Sequence, residues 1–150
     1  MKKLVVVVLM PCLLVLSVGI GLWSWEHGAL PGFRPEVVDV AVDTITKDNR
    51  GVRISGTAHY GAKLRQTAIE TDTVWWIYPL TARGQTQERV VRVVIRTTRT
   101  PDSLLGFEDR TLEGFARPPG RLLPHDARTA LRQKGYELHE DVMLIEEWTD

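Results

Sequence analysis

From residue 36 onward, apolar side chains alternate with polar ones over short runs, a period that predicts strands rather than helices. Val38, Val40 and Val42 alternate with Asp39 and Asp43, which predicts a half-buried strand over 36–46. The cluster Lys47-Asp48-Asn49-Arg50-Gly51 predicts a turn. The return strand, 52–60, puts Val52, Ile54, Ala58 and Tyr60 on one face and Arg53, Ser55, Thr57 and His59 on the other. Gly56 interrupts the apolar face and predicts a bulge or a close backbone approach.

Residues 61–71 fit either a short helix or an extended connection. A strand over 72–82 is rich in aromatic and β-branched residues, and Pro79 places an edge or break near its end. After the turn at Arg83-Gly84, residues 88–100 form the clearest strand, with Val91, Val93 and Ile95 on one side and Val90, Arg92, Val94 and Arg96 on the other. The two strands make a hairpin. A short strand over 110–116, a helix over 126–134 with Asp126 as cap and Gly135 as stop, and a final strand over 142–148 complete the set. The fold class expected is mainly β (α+β): a small, partly open barrel or sandwich with one or two short helices.

The N-terminus has a different pattern. Residues 4–25 carry no charge and would make about 33 Å of helix, enough for a hydrocarbon core of about 30 Å. Pro11 would kink it, and Trp23 and Trp25 would sit at the far interface. Lys2 and Lys3 mark a cytoplasmic N-terminus. The expectation is a single-pass signal anchor (1–25) in the cytoplasmic membrane, a Gly/Pro linker (26–35), and a periplasmic β-rich domain (36–150). Two alternatives are a cleaved signal ending near Ser17-Val18-Gly19 and a lipoprotein signal at Cys12, whose preceding Leu9-Met10-Pro11 lacks the small residues required.

Charge and cysteine content narrow the chemistry. Basic and acidic residues number 19 each, and without Lys2 and Lys3 the balance is 17 against 19, which argues against a nucleic-acid partner. Cys12 is the one cysteine, so the β-rich region has no disulfide, thiolate metal site or cysteine nucleophile. No phosphate-binding glycine motif and no G-x-S-x-G is present. His59, His125 and His139 are scattered, and Glu146 and Glu147, as strand neighbours, should face opposite sides. No catalytic residue, metal ligand or cofactor is expected.

The candidate binding residues are Trp75, Trp76, Arg92 and Arg96. Alternation sends one tryptophan into the core and the other outward, where it serves a partner or is covered by a helix or loop; the alternative is that both lie in a core closed on two sides. Arg92 and Arg96 form a row that either binds or guards an exposed strand face, and that could also meet anionic lipid headgroups.

Ile54-Ser55-Gly56-Thr57-Ala58, Val74-Trp75-Trp76-Ile77-Tyr78, Leu112-Glu113-Gly114-Phe115-Ala116 before Pro118-Pro119, and Leu144-Ile145-Glu146-Glu147 together resemble the GIDE-type domain. That domain is the membrane-associated module of a family of mitochondrial ubiquitin ligases with bacterial relatives. The resemblance covers 52–148 and implies a small β-barrel-like module beside a membrane. Thr73-Val74 stands where the family often has a cysteine, and no RING follows, so neither ligase activity nor site residues carry over. The function expected is a non-enzymatic, membrane-anchored interaction or scaffolding module with a protein partner in the cell envelope. The alternative is a barrel binding an oligosaccharide, lipid headgroup or peptide, and an enzyme built on the isolated acids or histidines stands third.

Overall fold

The computed structural model describes residues 34–149. Seven strands and one α-helix follow in the order β1 (Val37–Val40), β2 (Gly51–His59), β3 (Leu64–Thr67), β4 (Val74–Thr81), β5 (Val90–Thr97), β6 (Phe107–Arg117), α1 (His125–Gln133) and β7 (Glu137–Glu147).

Five of the strands close on themselves. β2 pairs with β6, β6 with β7, β7 with β5 and β5 with β4, and β4 returns to β2 through Thr57 opposite Thr81 and Ala58 opposite Leu80. The barrel is therefore closed, not partly open, and it is not a sandwich. Closure rests on those two residue pairs, contributed by strands on either side of β3, so no local sequence signal marks it. All neighbours in the ring are antiparallel except β5 and β7. β1 and β3 are additions at the β2–β4 seam, one flanking the start of β2 and the other the start of β4. Tyr78 and Pro79 fall where β4 changes partner from β3 to β2.

The alternation of β2 is realised residue by residue. Val52, Ile54, Ala58 and Tyr60 lie in the barrel interior with Tyr78, Leu80, Val93, Ile95, Leu112, Ala116, Met143 and Ile145. On the outer face, Arg53, Ser55 and Thr57 stand opposite Glu113, Thr111 and Asp109 of β6 and bond to each of them. Gly56 is required by a close approach: a Cβ there would meet the Thr81 carbonyl and the Leu80 side chain at the seam.

A second apolar cluster lies outside the barrel, where Leu123 and Leu131 meet Ile77, Val91, Val94 and Leu144. Asp126 lies in the first turn of α1, where its charge favours the helix dipole, while Pro124 occupies the N-cap. The helix ends in a Schellman motif: the Gly135 N–H donates to Arg132 O and the Tyr136 N–H to Leu131 O, with Gly135 at φ +87°.

Two strand expectations need correction, and the reading left open at 61–71 is decided. β1 stops at Val40 and pairs with β2 in parallel, so the two make no hairpin. The chain instead crosses the barrel mouth as a strap, 41–49, which buries Val42 in the barrel interior and packs Ile45 partly against it. Residues 64–67 are strand rather than helix. In β5 the alternation slips at Arg92: Val91 belongs to the outer cluster and Val93 to the interior. The cause is β7, which advances from Leu138 to Met143 while β5 advances only from Val91 to Val93.

The membrane expectation is also corrected. The segment 4–25 and most of the linker lie outside the described residues. Among the described residues no helix is long and apolar enough to cross a membrane. α1, with 9 residues, spans about 14 Å against the roughly 30 Å needed. The structure thus gives no support to a single-pass, signal-anchored protein of the cytoplasmic membrane, nor to a periplasmic placement derived from it.

Candidate functional site: the clefts beside Arg92

The four residues singled out from the sequence do not form one site. Trp75 and Trp76 are both half-buried, neither sunk in the core nor free. The Arg96 guanidinium stacks on the Trp75 ring, 3.7 Å from its centroid, and donates to Glu146 on β7 at 3.0 Å. Burial lowers the Arg96 pKa, and Glu146 works against that loss. Lys63 stands over Trp76 at 5.8 Å. Both rings are thus engaged by cations of the same chain. Arg92, by contrast, is exposed and makes no hydrogen bond or ion pair among the described residues.

One barrel mouth is closed by polar side chains. Arg110 donates to the Tyr78 hydroxyl at 2.7 Å and pairs with Glu147, while the Tyr60 hydroxyl donates to Glu108. Arg110 and Glu147 are only 12% and 8% exposed, so the pair is a buried one. Burial raises the pKa of Tyr78, and burial together with the Glu108 bond raises that of Tyr60; both stay protonated. Glu146 and Glu147 face opposite sides of the sheet, each committed to a different arginine.

The histidines are separately occupied. His59 is fully buried between Tyr136 and Thr81, with Nδ1 2.9 Å from the Tyr136 hydroxyl and Nε2 2.8 Å from Thr81 Oγ1. Thr81 has its own acceptor in Gln85 O at 2.9 Å. That bond uses the Thr81 hydrogen and assigns the imidazole: Nε2–H donates to Thr81, and Nδ1 accepts from Tyr136. Burial lowers the His59 pKa, and the nearby Arg89 charge adds to the effect. The ring is neutral and structural. His139 Nδ1 accepts the Asp141 N–H at 3.1 Å, while His125 opens α1. Among the described residues no group of three or more His, Cys, Asp or Glu is placed to hold a metal ion.

The opposite mouth is built differently. The strap 41–49 crosses it with a cleft on either side. The larger cleft, of about 880 Å³, lies between strap residues Asp43–Asp48, the turn Pro118-Pro119-Gly120 and the β7 bulge at Glu140–Met143. Its apolar floor comes from Ile45, Val142 and Met143; Lys47, Asp48, Arg128, Glu140 and Asp141 supply charge around it. The smaller, of about 500 Å³, lies between Val42 and Asp43 of the strap and the β4–β5 turn, where Thr81, Gln85 and Glu88 line it. Glu88 is committed there, because its carboxylate accepts the backbone N–H groups of Arg89 and Val90, which also lower its pKa. Arg92 lines both clefts.

Of the sequence-predicted residues, only Arg92 belongs to this site. The others there come from a loop, a Pro-Pro-Gly turn and a bulge, none of which has a period to read. The one available signal was the turn chemistry of Pro118-Pro119-Gly120. No family model, no curated protein and no solved structure matches the chain, so the GIDE-type resemblance rests on the quoted sequence pieces alone.

Proposed function

We propose that the barrel is a non-enzymatic interaction module that holds an extended segment of a partner protein in the cleft beside Arg92. The observation that carries this reading is Arg92 itself: an exposed guanidinium without a partner among the described residues, shared by two adjoining clefts. An apolar floor inside a charged rim is the usual anatomy of a protein interface. The larger cleft has Lys47, Arg92 and Arg128 against Asp43, Asp48, Glu140 and Asp141, a mixture that suits a peptide carrying both signs and disfavours a polyanion. Neither cleft is lined by an aromatic ring on which a sugar could stack, which favours a peptide over an oligosaccharide. The barrel interior is occupied by a cluster of buried apolar side chains.

Selection of binders from a displayed random-peptide library tests this. The expected result is a set of peptides whose affinity falls at least about tenfold on Arg92→Ala, a loss of about 1.4 kcal/mol or more, and does not change on Trp75→Ala. Peptides indifferent to Arg92 would refute the reading.

A further inference from the structure

The strap 41–49 is attached to the barrel in an unusual way. Among the described residues, its turn and side-chain hydrogen bonds stay between Ala41 and Arg50. Thr44 and Ile45 N–H donate to Ala41 O, the Ala41 N–H to Thr44 Oγ1, the Thr46 N–H to Asn49 Oδ1 and the Asn49 N–H to Thr46 O. Arg50 donates back to Lys47 O at 2.8 Å. The first bond from this stretch to the barrel is at its end, where the Ala116 N–H donates to Arg50 O at 2.7 Å. None of Asp43, Lys47 and Asp48 is in an ion pair among the described residues. What holds the strap down is apolar: Val42, 6% exposed, within the interior cluster, and the half-buried Ile45 beside it.

This anchor lies between the two clefts. Val42 lines the smaller, Met143 of the same interior cluster lines the larger, and Asp43 lines both. Lifting Val42 would therefore open the interior cluster between the two clefts. Among the described residues no turn or side-chain hydrogen bond joins 41–49 to the barrel, and the short-range bonds within the strap would move with it. Segments held by few contacts of this kind open locally, without global unfolding.

We propose that the strap is a displaceable plug: the partner segment seats an apolar side chain where Val42 now lies, with a neighbouring carboxylate on Arg92, while the strap swings outward. This rests on the cleft reading above and adds to it both a motion and a ligand pattern, an apolar residue close to an acidic one. Among the described residues Arg92 is the guanidinium at the junction that makes no hydrogen bond or ion pair, which is why the adjacent ligand group is acidic.

Thiol labelling of the full chain tests the motion and the displacement separately. In a Cys12→Ser background, the thiol of Val42→Cys is expected to react with Ellman's reagent at least about tenfold faster than that of Val93→Cys without denaturant. A selected peptide is expected to accelerate it further, because the displaced strap carries the thiol into solvent. Equal rates for the two positions would overturn the plug whatever peptides do. Peptides that bind through Arg92 yet slow the labelling would overturn the displacement and leave the cleft reading standing. Failure to find any Arg92-dependent peptide would remove the reading on which the displacement rests.

Discussion

Val42 and Arg92 line the same cleft at the mouth of the barrel, the first buried as the anchor of the strap, the second exposed and without a partner among the described residues. An apolar seat and a free cation lie side by side where the strands β4, β5 and β7 begin or end.

The opposite mouth predicts a large stability effect. Glu147→Ala leaves Arg110 buried without its counter-charge, and such breaks cost about 3–5 kcal/mol. Urea unfolding should show this loss, and the double variant Arg110→Met/Glu147→Leu should recover most of it. A double variant as unstable as the single one would mean that the bonds to Tyr78 and Tyr60 matter more than the charge pair.

The seam predicts sensitivity at a small residue. Gly56→Ala forces a methyl group against the Thr81 carbonyl, where backbone has to move. A loss of about 1–3 kcal/mol is expected in the same unfolding assay. An unchanged midpoint would mean that the β2–β4 pairing is not needed for stability.

The tryptophan pair predicts a structural rather than a binding phenotype. Removing the Trp75 ring takes away the surface on which Arg96 stacks, and Trp75→Ala should lower stability by about 1–3 kcal/mol. Affinity for cleft-binding peptides, measured calorimetrically, should stay as it was.

His59 predicts a pH dependence with a definite sign. Its folded-state pKa lies below the unfolded value of 6.5, because burial opposes the charged ring. The unfolded chain therefore takes up the proton first as pH falls. Its stabilising contribution is complete above about pH 6.5 and declines as the pH drops from there toward the folded-state value. The urea midpoint should fall between about pH 7 and about pH 5, and His59→Gln should flatten that slope. An unchanged slope would assign it to other groups.

The elements legible in the sequence are those that obey a local period. The inward and outward faces of β2, the hairpin of β4 and β5, and the helix stopped by Gly135 follow from alternation and turn chemistry. Closure was not legible, because Thr57 and Ala58 meet Thr81 and Leu80 across an intervening strand. Val42 fitted a strand pattern because a buried plug and a strand residue are equally apolar. Arg92 and Arg96 looked like one row because the bulge that separates their surroundings belongs to the partner strand β7. The site was mostly hidden for the same reason: Asp43, Lys47, Glu140 and Asp141 are ordinary surface charges until the fold sets them around one cleft.

The central claim, that the cleft beside Arg92 is the binding site, is tested most directly by titrating a selected peptide into the isotopically labelled full chain and mapping amide shifts. The account predicts that the perturbed amides concentrate at 42–48, Gly120 and 140–143, and that Arg92→Ala abolishes them. Shifts centred on Trp75 and Trp76, or on the outer face beneath α1, would contradict it.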